Sequence, residues 1–211
     1  IAQGMARVIG TPQVCLATSG PGATNLLTAV ADAMLDSIPI VAITGQVPLA
    51  MIGGDAFQEV DTYGMSVPIT KHNFLVRSAA ELLRVVPEAF RIASSGRPGP
   101  VLIDVPKDVQ LQVTEFDEWP EPGRPSPVPP ADPGLVARAA EIINGARRPI
   151  LYVGGGAVHS GAADLVVQLA ERASLPSTLT LMALGAIPAG HPLNLGMLGM
   201  HAARFTNMAL E

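Results

Sequence analysis

The chain has 211 residues, of which 48% are hydrophobic and 15% are charged, so it can bury a sizeable core in one or two domains. Its 13 basic and 18 acidic residues give a net charge of -5, and no basic patch supports nucleic-acid binding. No apolar run approaches the roughly 18 residues of a membrane span. Cys15 is the single cysteine, which excludes an internal disulfide. We therefore expect a cytoplasmic protein without nucleic-acid or membrane partners.

The first half of the sequence predicts alternating strands and helices. Apolar periodicity predicts a helix over 1–9, and the continuous apolar run 14–18 predicts a strand buried on both faces, with Cys15 in the core. A turn, a helix ending near Asp36 and a buried strand over 39–44 complete a βαβ unit, which implies a parallel sheet. Further elements are an edge strand over 71–76, a helix over 79–95 and a buried strand over 100–105.

The segment 44–61 has the composition of a small-molecule site. It follows a strand and combines apolar side chains with two amides, Gln46 and Gln58. Residues 45–48 are not expected to continue the strand, and Gly53 and Gly54 free the backbone again. From composition alone, a loop packed on a neighbouring domain is an equally good explanation.

A proline-rich, acidic stretch separates two predicted domains. We predict a first domain over 1–112, an extended linker over 113–131 and a second α/β domain over 132–211. In the second domain the pattern predicts a tight turn at the triple glycine 154–156. Its other predicted elements are helices over 135–144 and 162–173 and strands over 149–153 and 176–181.

Single motifs carry little chemical information by themselves. The SGPG turn at 19–22 precedes a helix and can hold an anion, but for an isolated turn simple strand-to-helix geometry is the better explanation. The triple glycine suits either close packing or a cofactor, and no histidine has the spacing of a metal site. The residues alone thus predict a two-domain α/β chain with turns that are compatible with a cofactor.

The chain contains seven motifs, in this order: TSGPGATN at 18–25, ITGQVP at 43–48, GGDAFQEVD at 53–61, TKHNFLV at 70–76, SGRPGPVLIDVPKDVQ at 95–110, YVGGG at 152–156 and LGMLGMH at 195–201. This arrangement resembles the acetohydroxyacid synthase (acetolactate synthase) large catalytic subunits, which are thiamine-diphosphate-dependent enzymes. The resemblance implies part of a parallel-sheet pyrimidine-binding domain, followed by part of a second α/β domain, the central FAD-binding domain.

The resemblance also implies a reaction and its cofactors. Pyruvate condenses with a second 2-ketoacid and CO2 is lost, in branched-chain amino-acid biosynthesis. The implied cofactors are thiamine diphosphate, Mg2+ and FAD, and the implied partners are 2-ketoacid substrates, a second copy in a homodimer or homotetramer, and a regulatory small subunit. Pyruvate oxidase and glyoxylate carboligase activity, or a non-catalytic flavin-binding or assembly role, are the alternatives.

Site residues follow from the matched motifs. Gln58 and Phe57 would contact thiamine diphosphate, whereas Pro48, Ala56, Lys71 and Lys107 would line the substrate channel. The residues implied along FAD are Ser37, Arg97, Gly154, Gly155, Gly156, Thr180, Leu181, Gly199, Met200 and His201. Without the resemblance, Arg97 would be interpreted as a cation at a helix C-terminus, and both lysines as solvated side chains.

Two features set this sequence apart from the family pattern. Gly54 stands where threonine is usual, and Ala202-Ala203 replaces Gly-Thr after His201, so we expect a looser loop and a more crowded approach to the flavin. The chain also begins without Met, and helical patterns reach both of its ends. The family's catalytic glutamate and Mg2+ motif are expected outside these residues, so we expect a piece of a longer enzyme that is inactive alone and contributes no metal ligand.

Overall fold

The computed structural model describes residues 1–211, which divide into two compact units, Ile1–Pro129 and Pro130–Glu211. Each unit contains a parallel sheet and helices, which confirms the predicted α/β class. The division falls inside the stretch predicted to be a linker. No helix in either unit combines the length and apolarity required to cross a membrane.

Unit 1, residues Ile1–Pro129, is built on a four-stranded sheet. Its elements are α1 (Ala2–Ile9), β1 (Gln13–Ala17), α2 (Pro21–Asp36), β2 (Ile40–Gln46), α3 (Thr62–Ser66), β3 (His72–Leu75), α4 (Ala79–Ser94), β4 (Val101–Pro106) and α5 (Lys107–Gln110). The strands are parallel, in the order β1-β2-β4-β3. Helices α2 and α4 provide crossovers, because parallel strands cannot be joined by a tight turn. The four strands and two helices that were predicted from residue 14 onward in this unit all lie within two residues of the bounds given for them.

The core of unit 1 lies where α4 covers the two central strands. Every residue of β4 is buried. The buried face of α4 is formed by Val85, Ala89 and Ala93, which recur every four residues and therefore share one side of the helix. The two alanines allow the helix axis to approach the sheet closely. Ser78 begins α4 by accepting a hydrogen bond from the backbone N–H of Glu81.

The prediction that the first strand is buried on both faces is wrong. β1 lies at an edge of the sheet, and its side chains alternate between half-buried and exposed. Val14 is 41% exposed and Leu16 is 73% exposed, while Cys15 is half-buried rather than fully in the core. Partial burial raises the pKa of the Cys15 thiol, because the thiolate loses hydration. A run of apolar residues favours a strand but does not determine whether both faces are covered.

Strand β2 is longer than predicted. Gly45 and Gln46 continue the strand and pair with Val105 and Pro106, so the expectation that residues 45–48 interrupt the strand is wrong at its first two positions. Glycine lacks a side chain but can still adopt extended backbone angles, and a neighbouring strand stabilises it there. Only Val47 and Pro48 leave the sheet.

Residues 111–132 contain no helix or strand, and part of this stretch packs on α4. Gly123 lies against the carbonyl of Pro87, so closely that a Cβ there would lie 1.7 Å from that oxygen. Ser126 donates its backbone N–H to Ser95 Oγ (2.8 Å) and accepts a hydrogen bond from Arg91 (3.1 Å). This part of the stretch therefore packs on the surface of unit 1.

Unit 2, residues Pro130–Glu211, contains a three-stranded parallel sheet in the order β5-β6-β7. Its elements are α6 (Pro133–Gly145), β5 (Leu151–Val153), α7 (Gly155–His159), α8 (Ala163–Ala173), β6 (Ser177–Leu179), β7 (Asn194–Met197) and α9 (Arg204–Met208). Val153, Leu179 and Ile187 belong to its core. The predicted tight turn at 154–156 is wrong, because Gly155 and Gly156 already form the first turn of α7. Strand β7 was not predicted.

Candidate functional site

The main candidate site lies at the carboxyl end of β2 and β4. These strands pair in parallel, with Gln46 opposite Pro106, so the residues that follow them start side by side. The backbone N–H of Leu49 donates to Asp108 Oδ1 (3.1 Å) and joins the two connections. The sheet thus brings together Pro48, which is half-buried, and Lys107, which is exposed. Both were predicted to line one substrate channel.

A buried carboxylate supports this end of the sheet. Asp104 is 1% exposed and accepts hydrogen bonds from Thr44 Oγ1 (2.7 Å) and Gln46 Nε2 (3.0 Å). Burial raises the pKa of Asp104 to about 6, because the carboxylate loses hydration there; the two hydrogen bonds oppose this rise, and nearby Asp61 adds to it. Sequence reasoning did not identify Asp104, although a lone carboxylate within an otherwise apolar strand is a signal that could have found it.

The loop that carries Phe57 and Gln58 is closed on itself by Glu59. The Glu59 carboxylate accepts hydrogen bonds from the backbone N–H groups of Gly53 and Ala56, the latter at 2.9 Å. These bonds lower the pKa of Glu59 by stabilising its charged form. Asp55 and Gln58 have positive φ angles of 55° and 60°, which non-glycine residues seldom adopt. The loop therefore has a defined shape, and Glu59 is a second organising residue that the sequence did not reveal.

The SGPG turn and this loop touch each other. Gly20 has φ 59° and ψ -116°, a region that is practically restricted to glycine. A Cβ at Gly20 would lie 2.6 Å from the Gln58 carbonyl oxygen. The turn must therefore carry glycine both for its backbone angles and for the close approach of Gln58. Two motifs separated by more than 30 residues form one surface.

The side chains at this surface face outward. Phe57 is 89% exposed, Gln58 is exposed, and Ala56 is half-buried. The Gln58 amide makes no hydrogen bond within the chain. The loop offers an exposed aromatic face and a free amide, which suit a flat polar ligand.

The remaining predicted residues of unit 1 lie at the opposite end of the sheet. Arg97 donates from Nε to Ser37 Oγ (2.7 Å) and from its guanidinium to the Leu35 carbonyl at the end of α2 (3.0 Å). Lys71 Nζ donates to the Ile92 carbonyl and to the Ser95 carbonyl (2.6 Å) at the end of α4. Desolvation, followed by repulsion from Arg91, lowers the pKa of Lys71.

Lys71 and Arg97 thus complete helix C-termini, where cations are favoured. Ser37 and Arg97, both predicted along FAD, are in contact. Lys71 precedes β3, whereas Pro48 and Lys107 lie at the ends of β2 and β4. Within unit 1 the structure therefore does not place Lys71 beside the other predicted channel residues.

In unit 2 the predicted FAD residues lie at the carboxyl ends of the strands. Gly154–Gly156 follow β5, Thr180 and Leu181 follow β6, and Gly199, Met200 and His201 come just after β7. Since the three strands are parallel, their carboxyl ends lie at the same end of the sheet. A Cβ at Gly154 or Gly156 would meet no atom within 4 Å, but one at Gly155 would lie 2.8 Å from Met182 Cβ.

A cavity of about 510 Å³ lies beside this end of the sheet and is lined in part by His201, Ala202 and Ala203. Gly199, at φ 101°, is held by Asn207, whose amide accepts from the Gly199 N–H (2.9 Å) and donates to its carbonyl (3.0 Å). Sequence reasoning missed Asn207. Ala202 is half-buried in the cavity wall, where its methyl group occupies space that glycine would leave open.

Neither unit contains a group of three or more His, Cys, Asp or Glu side chains arranged to hold a metal ion. His191 and Glu171 form a pair with Nε2 and Oε1 3.3 Å apart, without a third ligand. The structure therefore offers no metal centre to either unit.

Comparison with known proteins agrees with the motif pattern. Residues 1–65 match the family described as "Thiamine pyrophosphate enzyme, N-terminal TPP binding domain", and residues 136–211 match "Thiamine pyrophosphate enzyme, central domain". The whole chain is 60% identical over 211 residues to the acetolactate synthase isozyme 1 large subunit of Escherichia coli K12 and spans 37% of that protein.

Two other relatives give the same result. An acetolactate synthase of Arthrospira platensis is 50% identical over 218 residues, with 99% of this chain and 37% of that protein covered. The acetolactate synthase isozyme 2 large subunit of E. coli K12 is 49% identical over 209 residues, with 99% of this chain and 38% of that protein covered. The predicted resemblance is therefore confirmed. The chain spans little more than a third of the length of these relatives.

Proposed function

This chain belongs to the thiamine pyrophosphate enzymes, and from that premise we propose that it forms part of a carboligase that joins pyruvate to a second 2-ketoacid with loss of CO2. The products would be 2-acetolactate or 2-aceto-2-hydroxybutyrate, precursors in branched-chain amino-acid biosynthesis. The observation that carries the proposal is the surface at the carboxyl end of β2 and β4, where an outward-facing Phe57 and Gln58 lie on a loop fixed against Gly20.

The residues of this surface fit thiamine diphosphate. The Gln58 amide can donate to and accept from a pyrimidine ring, and the exposed Phe57 ring provides an apolar face. When bound, thiamine diphosphate supplies the electron sink that allows pyruvate to lose CO2 and the remaining two-carbon unit to join an acceptor. The chain's own contribution is to orient the cofactor through Gln58 and to limit its movement through Phe57.

Lys107 is the better candidate for the carboxylate of the ketoacid. Its ammonium group is exposed and forms no ion pair, and it lies next to Pro48 at the same end of the sheet. Lys71, by contrast, already donates hydrogen bonds to two carbonyls at the end of α4. We propose that Lys107 attracts the anionic substrate and that Pro48 and Ala56 form an apolar wall of the channel.

The residues of unit 2 fit a flavin by shape. Gly154 and Gly156 leave open space above the backbone, and Leu181 (67% exposed) and Met200 (90% exposed) provide apolar surface near the same end of the sheet. FAD would be held there by close backbone approach and apolar contact, with Ala202 narrowing the space beside His201. No group of His, Cys, Asp or Glu side chains in either unit fits Mg2+.

The test uses the complete protein that contains this chain, supplied with pyruvate, thiamine diphosphate, Mg2+ and FAD. We expect 2-acetolactate to form, and 2-aceto-2-hydroxybutyrate when 2-ketobutyrate is added. Acetaldehyde and CO2 as the only products would indicate a decarboxylase instead, and consumption of oxygen with acetyl phosphate or acetate would indicate a pyruvate oxidase. Tartronate semialdehyde from glyoxylate would indicate a glyoxylate carboligase.

Assembly and location are further proposals. We propose a homodimer or homotetramer of cytoplasmic subunits, with a regulatory small subunit as an additional partner. Titration of the 211-residue chain with FAD tests the alternative in which this part of the protein only binds flavin. Flavin binding by a complete protein that never forms acetolactate would favour that alternative.

A further inference from the structure

The buried carboxylate of Asp104 has no role in the proposed function, yet it lies beneath the candidate site. It is the only acidic residue of β4, and both of its oxygens accept hydrogen bonds from β2. Thr44 binds one oxygen and Gln46 the other. Burying an ionisable group to 1% exposure in a strand core costs folding free energy. A specific task would explain why the group is present despite this cost.

Gln46 connects this carboxylate to the loop. Its Nε2 donates both to Asp104 Oδ2 (3.0 Å) and to the Val60 carbonyl (2.9 Å), and its Oε1 accepts from the Val47 N–H (2.8 Å). The acceptor at Asp104 fixes which way the amide is turned, because a reversed amide would direct its oxygen at two other oxygens. With the amide so oriented, Val60 is attached to the end of β2.

Val60 lies two residues beyond Gln58, the residue proposed to contact thiamine diphosphate. Between them, Glu59 closes the loop on Gly53 and Ala56, while the Gln58 carbonyl rests on Gly20. The loop therefore has a fixed shape, and its attachment to the sheet runs through Gln46. We propose that Asp104 is a positioning residue that sets the Gln46 amide and thereby the height and angle at which Gln58 meets the cofactor.

This inference rests on the proposed function, since it names the cofactor that Gln58 would contact. Thr44 offers a matched control, because its hydroxyl binds the same carboxylate but makes no bond to the loop. Asp104→Asn would keep size but would leave one acceptor oxygen for the two donors, Thr44 and Gln46, that now bind one carboxylate oxygen each. Thr44→Val would also remove one hydrogen bond from Asp104 and would leave Gln46 in place.

The experiment measures binding of thiamine diphosphate by calorimetry and steady-state turnover, both on the complete protein. For Asp104→Asn we expect the Kd and the KM for thiamine diphosphate to rise about tenfold, with kcat at saturating cofactor within about threefold of the parent. For Thr44→Val we expect less than a twofold change in either constant. Hydrogen exchange of residues 53–61 is expected to increase in Asp104→Asn alone.

A double variant separates positioning from general stability. In Asp104→Asn with Gln46→Glu, the pair can bond again, but Val60 loses its donor and faces a carboxylate. Cofactor affinity should then remain weak even if thermal stability returns. If affinity returns with stability, or if Thr44→Val weakens binding as much as Asp104→Asn, the positioning role is wrong.

The outcomes also separate this inference from the proposed function. A parent protein that neither binds thiamine diphosphate nor forms acetolactate overturns the function. A parent that does both, with an Asp104→Asn variant of unchanged cofactor affinity and unchanged exchange at 53–61, overturns only the role of Asp104. If Asp104→Asn does not fold, Gln46→Met removes the same link, and unchanged affinity in that variant overturns the inference as well.

Discussion

At the amino end of the unit 1 sheet, Lys71 and Arg97 place their cations on the carbonyl groups at the ends of α4 and α2. At the carboxyl end, Lys107 makes no such contact, and the polar groups beneath it form a buried network around Asp104. The difference follows from topology. Helices that cross between parallel strands end near the amino ends of those strands, so cations are engaged there by the helix dipoles.

The carboxyl end is left with loops rather than helix C-termini, and its side chains remain available for ligands. Residue type alone does not separate the lysine that binds helix carbonyls from the lysine that remains exposed. The end of the sheet at which each lysine lies does separate them. Substitutions at one end of the sheet can therefore be controlled by substitutions at the other end or at a second residue.

The largest effect is expected from Gly20→Ala. A Cβ there meets the Gln58 carbonyl at 2.6 Å and stands at a backbone conformation that alanine rarely adopts. We expect a loss of about 4 kcal/mol in unfolding free energy, together with weaker thiamine diphosphate binding.

Gly96→Ala is the control at the amino end, because Gly96 has φ 58° but open space around a Cβ. It should cost about 1 kcal/mol. Local unfolding free energies from hydrogen exchange in the complete protein provide the measurement. Equal losses for the two variants would mean that contact with the loop adds nothing.

The second prediction concerns the pH dependence set by Asp104. Its pKa is about 6 in the folded protein and about 3.9 unfolded, so the folded state holds the proton more tightly. The stabilisation from this group is complete below about pH 4 and is lost as pH rises through about 6, by on the order of 3 kcal/mol.

Hydrogen exchange of β2 and β4 amides at pH 4.5 and 7.5 measures this loss. Asp104→Asn should remove that component and flatten the dependence, whereas Glu59→Gln, at a group whose pKa is lowered, should not. An identical pH dependence in the parent and in Asp104→Asn would contradict the assignment.

The third prediction makes the same substitution at the two ends of the sheet. Lys71→Met would leave the Ile92 and Ser95 carbonyls without their donor and should cost about 1 to 2 kcal/mol. The KM for pyruvate should not change. Lys107→Met should leave stability unchanged and raise that KM about tenfold. A raised KM in Lys71→Met would restore the prediction that Lys71 lines the channel.

The smallest effect is expected from Glu59→Gln. The amide can still accept one of the two backbone hydrogen bonds, so the loop loses a charge-assisted contact but not its closure. We expect a two- to threefold rise in the KM for thiamine diphosphate. Glu88→Gln is the matched control, because Glu88 pairs only with Arg91 on α4. Equal effects from both would argue against a role for loop closure.

Much of the fold followed from local pattern. Continuous apolar runs and glycine-rich turns located β2 and β4, and apolar periodicity located α4, because these elements are buried and their sequence must match that burial. β7 was missed because Asn194–Met197 contains a glycine and is only half-buried. The exposed faces of Val14 and Leu16 were missed because exposure at a sheet edge depends on which elements are neighbours.

The motifs of the candidate site could be predicted from the sequence, but the residues that hold those motifs in place could not. The resemblance pointed to Phe57 and Gln58, whereas Asp104, Glu59 and Asn207 act through partners that are distant or that depend on loop conformation. No spacing rule links Gln46 to Asp104, which lie 58 residues apart in sequence.

By itself, the sequence determined the α/β class, the parallel strands, the family and the loop that carries Gln58, because each depends on residue types within short windows. Only the tertiary structure decided which end of the sheet each cation occupies, that Gly20 must be glycine to admit the Gln58 carbonyl, and that Asp104 is connected to the loop through Gln46. These facts depend on how distant segments meet in space. Parallel pairing brings β2 and β4 into register, and that register sets the contacts on which the proposed site rests.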